Sequence, residues 1–178
     1  GTTVDGPATG SLCSGYGGLG LAVLGLFGGR VVWHAETDPH CVRILARHWP
    51  GVPNHGDITA VDWGGVEPVD ILTAGFPCQP WSDAGSRRGT ADARDLWPAI
   101  RDAVGLLRPR LAVLENVPGF ARNGLPRTVA GLAEIGYDLR WCRLPAADVG
   151  APHMRDRWFG LAWAPADPPR RRGANLPG

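Results

Sequence analysis

The sequence predicts an α/β domain around a parallel sheet with helices on both faces. Short apolar runs alternate with helix-like segments along nearly the whole chain, which is the βαβ pattern. Several of these runs are almost continuously apolar, as strands covered on both faces are. A glycine-rich turn stands between the first run and the first helix, where folds of this kind bind ligands. At 178 residues the chain is long enough for one domain with a full core.

The elements follow in order. "TGSLCS" (9–14) is the first strand, and after the glycines "LGLAVLGLF" (19–27) is apolar enough for a buried helix. "RVVWHAE" (30–36) is the second strand. Asp38 and Pro39 supply a cap and a first turn for a helix over 39–49. A short strand is expected near "VPNHGD" (52–57), and a longer one at "VDILTAG" (69–75). The polar, Gly- and Arg-rich stretch 83–95 reads as a mobile loop. Ile100, Val104 and Leu107 mark one helical face, and Leu125, Val129 and Leu132 another. "RLAVLENV" (110–117), "DLRWCRL" (138–144) and "RWFGLAWA" (157–164) complete the strands. The tail, 165–178, holds too much Pro, Gly and Arg for core and reads as a linker or loose terminus.

Composition narrows the class. Hydrophobic residues at 44% and charged residues at 20% fit a soluble globular chain. No apolar run approaches the roughly 18 residues of a membrane span. The stretch "GTTVDGPATG" lacks a signal peptide's basic and apolar regions, so a cytoplasmic protein without a membrane partner is expected. A net charge of +1 does not announce nucleic acid, yet all 18 basic residues are Arg, which suits phosphates and flat two-pronged contacts. Cys13, Cys41, Cys78 and Cys142 form no C-x-x-C pair, which argues against zinc and against a disulfide framework. His34, His40, Cys41, His48 and His55 crowd one region but match no metal spacing, and no metal is expected.

Two places can carry chemistry. Gly15, Gly17 and Gly20 fit G-x-G-x-x-G, and Glu36 ends the second strand, placed to accept from ribose hydroxyls. This fits a nicotinamide dinucleotide as well as S-adenosylmethionine, and strand, glycines, helix and spaced acid together favour a nucleotide-like ligand over a purely structural turn. Asp57 can accept an adenine amino group with Ile58 over the ring, or cap a turn through Ile58 and Thr59. The second place is "GFPCQPW". Pro77 and Pro80 exclude a regular helix or central strand around Cys78, so the thiol sits in a stiff loop after a strand. Such a loop aims a reactive group well, although a cysteine is more often inert core.

Taken in order, "GSLCSGYGGLGLAVLGL", "AETD", "GDI", "GFPCQPWSDAG", "LENVPGF" and "APHMRDRWFGLAW" resemble the DNA cytosine-5 methyltransferase family over residues 9–164. The resemblance implies the methyltransferase version of the doubly wound, Rossmann-like sheet, mostly parallel with one reversed edge strand and seven strands in all. It implies S-adenosylmethionine as donor, S-adenosylhomocysteine as product and a flipped cytosine in DNA as acceptor. It implies cofactor contacts from Cys13, Gly15, Gly17, Gly18, Leu19, Glu36, Thr37, Asp57, Ile58 and Pro77. Cys78 becomes the nucleophile, with Glu115, Arg155 and Arg157 beside it. Pro80, Ser82, Arg87, Arg88 and His153 become substrate contacts. Transfer RNA as substrate, or a role as a non-catalytic or split subunit, are the alternatives. A bacterial, nucleoid-associated location and a restriction–modification setting go with the resemblance.

The chemistry explains these residue types. A thiolate adding to carbon 6 of cytosine pushes electron density onto carbon 5, which can then take a methyl group. Nearby Arg charge lowers a thiol's pKa from about 8.5. A carboxyl group at a buried strand end can stay protonated and donate to ring nitrogen 3, which is the role expected of Glu115; it can equally cap a helix at "ENVPGF". Arg155 and Arg157 alternate along a strand and so share a side, as catalytic groups or as surface residues. The loop 81–95 can close over a flipped base, whose extrusion costs a few kcal/mol, or be simply solvated. The chain departs from the family in carrying Cys13 for a Phe, Thr37 for an aromatic residue and His153 for a Gln. It ends 14 residues after Ala164, without a target-recognition region or a returning C-terminal segment, so a second chain completing the enzyme is one expectation.

Overall fold

The computed structural model describes residues 6–77 and 95–165. Six strands form one sheet: β1 (Ala8–Leu12), β2 (Arg30–Ala35), β3 (Ile71–Gly75), β4 (Leu111–Asn116), β5 (Asp138–Pro145) and β6 (Asp156–Trp163), in the order β2-β1-β3-β4-β6-β5. β1 to β4 pair in parallel, and β6 is antiparallel to both β4 and β5. The single reversed strand is therefore β6, with β5 outside it. The helices are α1 (Gly18–Phe27), α2 (Pro39–His48), α3 (Trp97–Leu107), the short α4 (Phe120–Asn123) and α5 (Leu125–Glu134). Asp38 caps α2 as expected, accepting from the His40 and Cys41 N–H groups at 2.9 Å each.

The expected seventh strand is absent among the described residues. Residues 52–57 make only one bridge, His34 with Asn54, alongside β2. Pro53 has no N–H to continue a ladder, and Gly51 and Gly56, at φ +85° and +74°, turn the chain on either side. β1 also ends at Leu12, earlier than its apolar run suggests, because Cys13 leaves the extended region at φ +47°.

The two faces of the sheet are unequal. One carries the main core, in which Leu12, Trp33, Leu72, Leu114 and Trp158 pack with Ile100 and Val104 of α3, Phe120 of α4 and Leu132 of α5. The other holds a small cluster of Val23, Ile71 and Val113 beneath α1. Leu161 pairs with Val113 on that side and is 45% exposed, while Leu21, Leu26 and Phe27 of α1 are at least half exposed. The histidines that crowd the sequence pack against aromatic rings: His34 on Trp49, His55 on Trp33 and His40 on Tyr16. Among the described residues no group of three His, Cys, Asp or Glu is arranged to hold a metal ion.

Trp33 is fully buried and donates its indole N–H to the Glu67 carbonyl at 2.9 Å. Its ring lies over Gly10, where a Cβ would stand 2.2 Å from it. Gly10→Ala should therefore destabilise the domain by at least about 1–3 kcal/mol, as overpacking does. Gly25→Ala, in the exposed interior of α1 with nothing within 4 Å, should stabilise it by roughly 0.5–1 kcal/mol. Thermal denaturation of the two variants checks the contrast.

Candidate active site

The carboxyl ends of β1, β2 and β3 surround a cavity of about 450 Å³, in the size range of small-molecule sites. It opens where the chain order reverses about β1, the usual ligand position of a doubly wound sheet. Its lining includes Cys13 and Gly15 from the turn after β1, Glu36 and Thr37 after β2, Asp57 and Ile58, and Pro77 after β3.

The turn after β1 is held by backbone and by one carboxylate. Gly17, at φ +82°, donates to the Ser14 carbonyl at 2.9 Å. A side chain at Gly17 would strike the Trp49 ring at 2.5 Å, so α2 can close on the turn only over a glycine. Glu36 takes the Gly15 N–H on Oε2 at 2.7 Å, and the Thr37 and Asp38 N–H groups on Oε1 at 2.8 and 2.9 Å. A carboxylate has about four acceptor positions, so this leaves capacity toward the cavity.

Asp57 does what its capping reading expects. Its Oδ1 accepts from the backbone N–H and the hydroxyl of Thr59 at 2.9 and 2.8 Å, and these bonds hold its carboxyl below the ordinary carboxylate range. Both fall on one oxygen, so capping and facing a ligand are compatible. Ile58 is buried and belongs to the core as well as to the cavity wall. Burial, and then the charges of Glu36 and Asp57, push the Cys13 thiol up to about 12, so this wall is a neutral, compact surface.

A second group stands next to the cavity, where β3, β4 and β6 lie side by side. Gly75 pairs with Glu115, and Glu115 with Phe159. Glu115 Oε1 lies 2.8 Å from Arg157 Nε, with both side chains about a quarter exposed. Arg157 also donates through Nη1 to the Asp156 carbonyl at 2.8 Å. A Cβ at Gly75 would come 3.2 Å from Glu115 Oε2, so the glycine leaves room for the acid at the cavity wall.

Asn116 fixes the strand that leads toward Cys78. Its buried Nδ2 donates to the Phe76 carbonyl at 3.1 Å, and its Oδ1 accepts the Val117 N–H at 2.8 Å. Phe76 itself packs edge-on against Phe120, with centroids 5.4 Å apart, and tilts over Trp97. Asp95, buried at 5% side-chain exposure, pairs with Arg127 and accepts the Trp97 N–H at 3.2 Å. Phe76, Pro77 and Asp95 line one small crevice together.

The expected site residues are thus distributed as follows. Cys13, Gly15, Glu36, Thr37, Asp57, Ile58 and Pro77 share one cavity. Gly17 and Gly18 shape the turn and the start of α1, and Leu19 packs with Val23 and Ile71. Glu115 and Arg157 are paired. Arg155 precedes the first residue of β6, is exposed, and accepts the Ala146 N–H on its carbonyl; His153 is exposed in the bend before it. Cys78, Pro80, Ser82, Arg87 and Arg88 lie outside the described residues. Ala35, Gly56, Gly75, Phe76 and Leu96 complete the cavity wall. Of these, Gly75 had a readable signal, a glycine ending an otherwise apolar strand.

The family described as C-5 cytosine-specific DNA methylase matches residues 8–168. The chain is 35% identical over 156 residues to Type II methyltransferase M.HgiBI of Herpetosiphon aurantiacus, covering 83% of this chain and 35% of that protein. It is 40% identical over 168 residues to the DNA N-6-adenine-methyltransferase of Escherichia phage P1, covering 85% of this chain but 22% of that one. The S. pombe Dnmt2 methyltransferase structure superposes with a TM-score of 0.75 at 23% identity, over 91% of this chain and 52% of that one, which is a likeness of fold. The chain spans about a third to a half of the length of most curated relatives that it matches.

A raised pKa keeps a thiol protonated, so Cys13 should gain reactivity only as pH approaches about 12. At pH 8 iodoacetamide should alkylate the exposed Cys142 at least about tenfold faster than Cys13, as read by peptide mass mapping. Equal rates would show that Cys13 is not the neutral wall described.

Proposed function

Because the chain belongs to the C-5 cytosine-specific DNA methylase family, we propose that it methylates carbon 5 of cytosine in DNA, with S-adenosylmethionine as donor and Cys78 as nucleophile. The observation that carries this reading is the Glu115–Arg157 pair, 2.8 Å apart beside a cavity with carboxylates at Glu36 and Asp57. The cavity's size, its two carboxylates and the apolar Ile58 suit a ribose and an adenine. When bound, the donor supplies an electrophilic methyl on a sulfonium.

The protein's own groups do the rest. The Cys78 thiolate adds to carbon 6 of the cytosine, carbon 5 takes the methyl group, a base removes the carbon 5 proton, and the thiolate leaves. Glu115 faces ring nitrogen 3, and Arg157 holds both Glu115 and the ring's carbonyl oxygen. Glu115 and Arg157 satisfy each other, so an entering cytosine exchanges protein partners for its own edges. Arg155 stabilises the thiolate, and Pro80, Ser82, Arg87, Arg88 and His153 contact the DNA. Cys13, Gly15, Gly17, Gly18, Leu19, Glu36, Thr37, Asp57, Ile58 and Pro77 build or support the cofactor site. The catalytic domain is taken as 9–164 and the tail as 165–178. No helix among the described residues is long and apolar enough to cross a membrane, in keeping with a cytoplasmic protein acting at DNA.

A second polypeptide supplying target recognition is the second part of this reading. The exposed Leu21, Leu26, Phe27 and Leu161 on the α1 side favour it. Bisulfite sequencing of DNA treated with this chain alone should show scattered, weak methylation; methylation confined to one short motif would count against a recognition partner.

Nucleoside mass spectrometry after incubation with S-adenosylmethionine should find 5-methylcytosine in DNA. DNA containing 5-fluorocytosine should trap a denaturation-resistant adduct, absent in Cys78→Ala, and Glu115→Gln should lower kcat by about 10²–10⁴-fold. Product found only in RNA or only as N6-methyladenine, or a chain that forms no adduct, would overturn the reading.

A further inference from the structure

We propose that Asn54, which lies outside the cavity wall, is the positioning residue that sets Glu36 and Asp57 at the spacing a nucleoside requires. The proposal rests on the cofactor reading above. Asn54 Oδ1 accepts the Glu36 N–H at 2.9 Å, and Asn54 Nδ2 donates to the Glu36 carbonyl at 3.0 Å. The same Oδ1 takes the Gly56 N–H at 3.3 Å. The side-chain amide thus acts as a peptide group of a neighbouring strand would, at the place where Pro53 prevents the ladder from continuing. Around it the backbone adds two bonds, from His34 N–H to the Pro53 carbonyl at 2.9 Å and from His55 N–H to the His34 carbonyl at 2.8 Å.

This arrangement divides the work on Glu36. Its carboxylate holds the glycine turn through Gly15, while its backbone is held by Asn54. Gly56 then turns at φ +74°, and Asp57 after it joins the cavity lining. One amide therefore connects the residue facing the ribose to the turn bearing the residue facing the adenine. Only an amide fits both bonds to Glu36. Aspartate keeps the acceptor, loses the donor and adds a negative charge beside a carboxylate. Alanine loses both.

The test is calorimetric titration of S-adenosylhomocysteine into the wild type, Asn54→Ala and Asn54→Asp, with steady-state kinetics and thermal denaturation on the same samples. Asn54→Ala should weaken binding roughly fivefold to tenfold, the loss expected of two net hydrogen bonds. KM for S-adenosylmethionine should rise by a similar factor while kcat at saturation stays within about twofold, and Asn54→Asp should also bind more weakly than the wild type. Unchanged affinity in Asn54→Ala, with a wild type that binds, overturns this proposal alone. So does a loss of affinity that comes with an equal loss of kcat and of folded protein, which is a general structural role. A wild type that binds no S-adenosylhomocysteine overturns the cofactor reading and this proposal with it.

Discussion

The site depends on one carboxylate used as a clamp. Glu36 gathers three backbone N–H groups, one from the turn after β1 and two from the chain leaving β2. These donors have no partners within the sheet, because both strands have already ended. Without an acceptor between them, the turn after β1 and the start of α2 would each have to find water or another polar group. With it, two neighbouring strand ends become one rigid lip, and the cavity beside them has a defined width. A charged acceptor also makes stronger bonds than a neutral one, which suits a lip exposed to solvent.

Close approaches permitted by glycine set the remaining dimensions. Gly17 admits Trp49 and so lets α2 lie against the turn; Gly75 admits the Glu115 carboxylate; Gly10 admits Trp33. Each glycine faces a large or charged side chain from a different element. The parallel strands alone would give a generic sheet, and these three contacts give it a particular mouth.

Strand and helix positions were legible in the sequence because a strand buried on both faces leaves a run of apolar residues, and β3 and β4 are such runs. Glu115 and Arg157 were singled out by motifs, and the structure brings the two together. What was not legible is of one physical kind. Asn54 and Asn116 use side-chain amides to complete backbone bonding across 18 and 40 residues, and nothing local marks an asparagine for that use. The end of β1 at Cys13 depends on a positive φ in a residue that does not ordinarily favour one. The segment 52–57 has strand-like neighbours, yet Pro53 and two turning glycines reduce it to a single bridge. Pairing of Glu115 with Arg157 follows from strand order, which no single stretch records.

The crevice shared by Phe76, Pro77 and Asp95 has a consequence for chain length. Asn116 anchors the chain just before residue 78, and the Arg127 ion pair anchors it just after residue 94, so the two anchors are neighbours in space. The framework bears the work of joining them. Doubling the length of polypeptide between such anchors adds only about 0.6 kcal/mol of closure entropy. The framework can therefore take changes of length in the interval beyond residue 78 while the cavity beside it keeps its shape.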